Sequence, residues 1–113
     1  MNHARTAVRD DDALSCSLTA CGDRESVGAL LTRNAAHFAS RPVCCERRNG
    51  AYHTTSWAEL LDDAAAFASF LGEQHIEPGD RVAVVSRNRA AMLATEFATM
   101  GRGAIYVPLF AGY

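Results

Sequence analysis

Cysteine and histidine are the side chains in this sequence with the most direct route to metal binding or nucleophilic chemistry, and the chain has four of each. The cysteines form no C-x-x-C pair, and adjacent Cys44 and Cys45 would point to opposite faces of a strand. The histidines show no short spacing that would bring two imidazoles to one metal ion. We therefore expect packing or surface residues, and no metal site, at Cys16, Cys21, Cys44, Cys45, His3, His37, His53 and His75.

Two arginines are candidates for binding an anion. Arg87 and Arg89 flank the carboxyl end of a predicted strand, which is where open α/β sheets bind their ligands. The alternative is that both are ordinary solvated arginines. Gly101-Arg102-Gly103 is the one G-x-G in the chain, but it precedes a predicted strand, whereas a dinucleotide-binding loop follows one. We interpret it as a helix stop.

Two further groupings resemble catalytic pairs and are better explained by secondary structure. His53 beside Thr54 and Thr55 would need both side chains on one face, but neighbouring strand residues face apart. An exposed hairpin histidine is the simpler interpretation. Asp62 and Asp63 are adjacent on a predicted helix, where neighbouring positions diverge by about 100°, so a solvated face is expected. We assign no catalytic, cofactor-binding or metal residue in this chain.

Composition narrows the function further. The chain has 113 residues, with 11 basic and 13 acidic side chains, for a net charge of -2. This balance argues against binding of nucleic acid or of an anionic membrane surface, both of which require clustered positive charge. Every basic residue is arginine, so no site that depends on a lysine amine can lie within this sequence. We expect an intracellular, cytoplasmic protein with reduced thiols and no transmembrane segment.

The first half of the chain predicts a helix followed by a hairpin. After residues 1–24, which show no sustained period and are expected to form a mobile tail, Ser26 can cap a helix whose apolar stripe runs to Phe38. Pro42 ends that helix by about residue 40. Two short strands then surround Asn49-Gly50, a pair typical of a type I′ turn.

The second half predicts helix, strand, helix and strand. Ser56 and Glu59 form a capping box ahead of a strongly amphipathic helix. A turn at Pro78–Asp80 leads into an apolar run, 81–85, which we expect to be a strand covered on both faces. Residues 86–88 supply a loop and a cap for a helix from Arg89 to about Met100 with a strip of alanines. A second buried strand follows at residues 104–109.

Together these elements predict an α/β fold: a β-hairpin plus the beginning of a doubly wound parallel sheet with flanking helices. Strands joined through a helix pair in parallel by a right-handed crossover. The domain is expected to span residues 25–113 and to be partial, because a parallel sheet of two apolar strands leaves an open edge and uncovered faces.

Three segments of the sequence resemble the AMP-forming adenylating enzymes. Thr55–Leu60 resembles a Thr/Ser-Tyr-x-Glu-Leu segment of that family, with Trp57 in place of the usual tyrosine. Pro78–Ala83 resembles its Gly-Asp-Arg-Val turn, and Gly103–Leu109 its Gly-Ala-x-Tyr-Val-Pro segment. Leu109–Tyr113 is similar to the acyl-CoA synthetase branch. A further departure is Cys44-Cys45, where small apolar residues are common.

The resemblance implies a two-step reaction that uses ATP, Mg²⁺ and coenzyme A: a carboxylate forms an acyl-adenylate, and the coenzyme A thiol then displaces AMP to give a thioester. In the family, the phosphate contacts come from a Ser/Thr/Gly-rich loop ending in Pro-Lys-Gly, from later acidic segments and from a lysine of a mobile C-terminal domain. None of these segments is in this sequence, and the resemblance implies a scaffold role for the segments that do match, because they are scaffold in the family.

Two functions are therefore expected from the sequence. The first is an N-terminal fragment of an acyl-CoA synthetase, silent alone and partnered by the remainder of the ligase chain. The alternative is a standalone, non-catalytic interaction or oligomerisation module that pairs with itself or a relative at the open sheet edge.

Overall fold

The computed structural model describes residues 26–112, and the tail predicted at residues 1–24 lies outside these described residues. Three helices and four strands alternate along the described chain. In order they are α1 (Val27–Phe38), β1 (Pro42–Arg48), β2 (Ala51–Ser56), α2 (Trp57–Glu73), β3 (Arg81–Ser86), α3 (Ala90–Gly101) and β4 (Ile105–Phe110). The mixed α/β class predicted from the sequence is confirmed.

The first two helices begin where the sequence predicts. The Ser26 hydroxyl accepts a hydrogen bond from Ala29 N at 3.1 Å and so caps α1. At α2, Ser56 Oγ accepts from Glu59 N at 3.2 Å, while Glu59 Oε2 accepts from Ser56 N at 2.8 Å. This reciprocal pair is a capping box, which satisfies two backbone donors that the helix itself leaves free.

The strands form two separate two-stranded sheets. β1 and β2 pair antiparallel around Asn49 and Gly50, whose φ angles of 51° and 80° are the positive values that a type I′ turn requires. β3 and β4 pair in parallel, with Arg81 opposite Ile105. The predicted hairpin and the predicted start of a parallel sheet are both confirmed.

The core lies where the three helices and β1 meet. Its most buried side chains are Leu31 of α1, Leu60 and Ala64 of α2, and Ala94 of α3. Alanine at 94 and 98, both 2% exposed, lets α2 and α3 approach closely, as the alanine strip predicts. Half-buried residues from β1, α2 and α3 pack against this cluster: Val43, Trp57, Leu61, Leu93 and Phe97.

Two expectations about the second half are wrong within residues 26–112. Neither β3 nor β4 is covered on both faces: Val85 is 66%, Ile105 48% and Leu109 47% exposed. The reason is that α3 packs against one face, so alternate strand residues stay open. The cap of α3 also differs from the prediction, because residue 89, and not 86–88, takes the N-cap position and supplies no side-chain hydrogen bond.

The end of α3 agrees with the helix stop predicted from Gly101-Arg102-Gly103. The helix ends at Gly101, and Gly103 has a φ of 73°. Gly103 O accepts from Gly79 N at 2.9 Å, which joins this turn to the one that precedes β3. None of the helices in the described part of the chain combines the length and the apolar composition that crossing a bilayer requires.

Candidate functional site

A cleft of about 260 Å³ separates the β1–β2 hairpin from the start of α3. Strand periodicity places Cys44, Glu46 and Arg48 on the inner face of β1. The opposite wall comes from the loop before α3 and from its first two turns. The lining includes Cys44, Glu46, Asn88, Arg89, Leu93 and Glu96.

Glu46 is the side chain that joins the two walls. Its Oε2 accepts a hydrogen bond from Ala90 N at 2.8 Å, across 44 residues of sequence. Its Oε1 lies 2.6 Å from Arg48 Nε, and the Glu46 side chain is only 10% exposed. A carboxylate at a helix N-terminus satisfies a free amide and interacts favourably with the helix dipole. Glu46 therefore caps α3 in place of a local residue.

The Glu46 cap also bears on whether the two candidate arginines can bind an anion at the start of α3. Arg89 lines the cleft, and its Nε donates to Ser86 Oγ at 3.2 Å. Arg87 is exposed and is not among the lining residues. Because the Glu46 carboxylate already occupies the first free amide of α3, an added anion would have to compete with it. The structure thus gives the two arginines no shared anion site.

The two groupings that resemble catalytic pairs, at residues 53–55 and 62–63, are placed as their secondary structure predicts. His53 and Thr54 are exposed whereas Thr55 is 8% exposed, so the adjacent threonines face opposite sides of β2. Asp62 and Asp63 both lie on the solvated side of α2. Cys44 is half-buried and Cys45 exposed, and both thiols are free.

Within residues 26–112, no three or more His, Cys, Asp or Glu side chains are grouped so that they could hold a metal ion. The remaining metal-ligand candidates, at positions 3, 16 and 21, lie outside the described residues.

Tyr106 is a feature that sequence reasoning did not single out. Its side chain belongs to β4, and its hydroxyl is shielded from solvent without a hydrogen-bond partner. Burial raises the pKa of Tyr106, and the negative charge of Glu96 on α3 raises it further. The sequence does contain a signal for this feature: Tyr106 stands inside an apolar strand segment, where a hydroxyl must be buried or must find a hydrogen-bond partner. The raised pKa favours the neutral form of this phenol.

The comparisons with known proteins agree with one another. A family model described as AMP-binding enzyme matches residues 31–113. Enterobactin synthase component F of Escherichia coli (strain K12) is 28% identical over 88 residues, which is 78% of this chain but 6% of that protein. The chain therefore spans a small part of the curated relative that it matches.

Solved structures show the same fold. A fatty acid AMP ligase from Legionella pneumophila superposes with a TM-score of 0.71 at 22% identity, over 75% of this chain and 15% of that one. The structure of VinN with L-aspartate gives a TM-score of 0.71 at 26% identity, over 79% of this chain and 24% of that one. The hairpin, the helices and the parallel pair thus recur together in larger proteins.

Proposed function

We propose, since this chain belongs to the AMP-binding enzyme family, that it is the leading scaffold part of a ligase that activates carboxylic acids with ATP. In the first step, a carboxylate oxygen bonds to the α-phosphorus of ATP and pyrophosphate leaves, which gives an acyl-adenylate. In the second step, a thiol sulfur bonds to the acyl carbon and AMP leaves. The observation that carries the proposal is the family match over residues 31–113.

The chain's own contribution in this proposal is structural. Its sequence has no lysine to place beside a phosphate, and its described residues supply no ligand set for Mg²⁺. Those groups then belong to other segments of the polypeptide. The described chain instead supplies a parallel strand pair with an uncovered apolar face, on which further layers of a larger domain can pack.

Coenzyme A is the proposed thiol acceptor, and a fatty or other carboxylic acid the proposed substrate. The similarity of Leu109–Tyr113 to the acyl-CoA synthetase branch supports this choice. The similar Legionella pneumophila protein is named as a fatty acid AMP ligase, and the VinN structure contains L-aspartate. Fatty acids and amino acids should therefore both be tested as substrates. The cytoplasm is the compartment that fits this function, and the free thiols Cys44 and Cys45 are compatible with it.

The experiment is ATP–pyrophosphate exchange with two samples. One is the purified 113-residue chain, and the other is the native polypeptide captured from its own cells with an antibody against residues 26–112. We expect exchange from the native polypeptide with at least one fatty or amino acid, and none from the isolated chain. Exchange by the isolated chain would overturn the scaffold assignment. A native polypeptide inert towards every acid would overturn the ligase assignment.

The acceptor is tested on the same native sample. Coenzyme A should convert the adenylate to a thioester, measured by mass spectrometry after the exchange substrate has been found. Adenylate that persists in the presence of coenzyme A would contradict this choice of acceptor and leave the activation step intact.

A second candidate function rests on the exposed face of the β3–β4 pair. Val85, Ile105 and Leu109 are each about half exposed or more, which is unusual for an apolar sheet face in water. A non-catalytic module could use this face to bind a second copy or a full-length relative. Light scattering of the 113-residue chain over a range of concentrations tests it: self-association that Val85→Asp abolishes would favour this function, and a monomer throughout would argue against it.

A further inference from the structure

The turn of the β1–β2 hairpin carries the one Asn-Gly pair in the sequence. Asn49 and Gly50 lie between Arg48 and Ala51, the pair of residues that closes the hairpin. Both turn residues are exposed, as is every residue from 47 to 54. The tip of the hairpin therefore extends into solvent, whereas Val43 packs against the core cluster at its base.

The groups of this pair that could react with each other have no other partner. Within residues 26–112, neither the Asn49 side chain nor the Gly50 amide forms a hydrogen bond. A Cβ placed on Gly50 would meet no atom within 4 Å, so the space beside its backbone nitrogen is open. Because glycine has no Cβ, it also adopts conformations closed to other residues. Local opening of such an exposed turn costs little free energy and allows Gly50 N to approach Asn49 Cγ.

We propose that Asn49 is a site of spontaneous deamidation in the folded protein. The Gly50 nitrogen loses its proton and bonds to Cγ of Asn49, while the side-chain nitrogen gains a proton and leaves as ammonia, which closes a succinimide ring. Water then adds to a ring carbonyl and the adjoining ring C–N bond breaks. Opening at the main-chain carbonyl gives isoaspartate, and opening at the side-chain carbonyl gives aspartate. Water is the sole co-reactant, and the proposal does not depend on the proposed ligase function.

The other asparagines among residues 26–112 lack this combination of features. Asn88 is exposed and has an arginine on either side, so it matches Asn49 in exposure and in neighbouring positive charge, but the residue after it has a Cβ. Asn34 lies within α1, where its Oδ1 is shielded from solvent and helical hydrogen bonds hold the backbone amides. Asn88 is therefore the matched comparison within the same molecule, and Asn34 the buried one.

Deamidation would change the hairpin because isoaspartate routes the main chain through the former side chain, which adds an atom to the turn. Turn type and loop length set the register of a hairpin, so the longer path disturbs the pairing of Arg48 with Ala51. The Asn49→Asp variant gains the same negative charge on an unchanged backbone. We expect the isoaspartyl form to unfold at a lower urea concentration than freshly purified Asn49→Asp.

The test follows the 113-residue chain, shown to be folded by circular dichroism, through several weeks in neutral buffer. Peptide mapping by mass spectrometry should find conversion at Asn49 and none at Asn34 or Asn88. Its rate should rise about tenfold for each pH unit, because the ionised fraction of a weak acid far below its pKa is proportional to hydroxide. Gly50→Ala should slow the reaction even though it strains the turn, because a Cβ then stands beside the attacking nitrogen.

Two results would overturn the proposal. If Asn88 converts as fast as Asn49, exposure and neighbouring charge would explain the reaction without the Asn-Gly turn. If Asn49 converts only after the chain is unfolded in urea, the folded turn would protect the pair. The assigned effect on the hairpin has its own test, since an isoaspartyl form as stable as Asn49→Asp would show that the turn accommodates the added atom.

Discussion

The guanidinium of Arg102 donates two hydrogen bonds to the carbonyl oxygen of Ile76, from Nη2 at 3.0 Å and from Nε at 3.3 Å. Its Nη1 lies 3.5 Å from the carbonyl oxygen of Ala68, near the end of α2. One side chain that follows α3 thus bonds a carbonyl within α2 and a carbonyl of the segment that follows α2. Arg102 joins the two helices at their carboxyl ends.

Replacing Arg102 should therefore destabilise the fold. Arg102→Ala removes both guanidinium hydrogen bonds to the part-buried Ile76 carbonyl and is expected to cost about 1–3 kcal/mol in the free energy of unfolding. Urea denaturation followed by circular dichroism measures it. Arg87→Ala is the control, because Arg87 is exposed and the change should stay within about 0.5 kcal/mol. Equal effects at both positions would contradict the assigned role of Arg102.

Gly50 and Gly101 allow the cost of a left-handed backbone conformation to be measured without a steric clash. A Cβ added at either glycine would meet no atom within 4 Å, but Gly50 has a φ of +80° and Gly101 does not have a positive φ. Gly50→Ala should cost about 1–2 kcal/mol, because a left-handed conformation is unfavourable for residues with a Cβ. Gly101→Ala should be neutral or slightly stabilising. The pair is compared by thermal unfolding, and a Gly50→Ala chain as stable as the wild type would argue against the type I′ turn.

Leu60 and Leu109 should respond very differently to truncation. Leu60 is fully buried, at 0% exposure, so Leu60→Ala should cost about 2–5 kcal/mol through lost burial and the cavity it leaves. Leu109 is 47% exposed, so Leu109→Ala should cost much less in the 113-residue chain. Urea midpoints measure both. The same Leu109→Ala change in the native polypeptide should cost more if further layers cover the β3–β4 face.

Tyr106 gives the fold a weak sensitivity to alkaline pH. Its pKa is raised above the ordinary 10.0 by burial and by Glu96, so the folded state favours the neutral phenol. This contribution is fully present below the unfolded-state pKa and is lost as pH rises through the higher folded-state value. Ultraviolet absorbance of tyrosinate should show Tyr106 titrating above the ordinary range of a tyrosine, and Tyr106→Phe should remove this late step.

Glu96→Gln extends this test. It should move the late titration towards lower pH, because it removes the second cause of the raised pKa. If the late step were unchanged in Tyr106→Phe, it would belong to another tyrosine, and this result would contradict the burial of the Tyr106 hydroxyl.

The features that could be predicted from sequence are those whose partners lie within a few residues. Ser26 caps through an amide three residues on, Ser56 and Glu59 cap each other, and Asn49-Gly50 sets its own turn. Each signal is complete within one turn of chain, so no tertiary knowledge is needed to interpret it.

The features that escaped prediction depend on distant contacts. The cap of α3 comes from Glu46, 44 residues earlier, and nothing beside Glu46 in sequence marks it as a capping residue. Arg102 finds its acceptor 26 residues back, at Ile76. The exposure of β3 and β4 was missed for a different reason: apolar residues show which faces suit burial, but they do not specify which element covers them.

The separation of the strands into two sheets also divides the strand pairings by sequence distance. The hairpin closes over a two-residue turn, whereas β3 and β4 pair across the whole length of α3. Closing the shorter loop costs less conformational entropy, so the hairpin is the more local of the two sheets. Because Glu46 stands on the hairpin and accepts from Ala90 N, a formed hairpin presents a carboxylate at the position where α3 begins, which favours the first helical turn there.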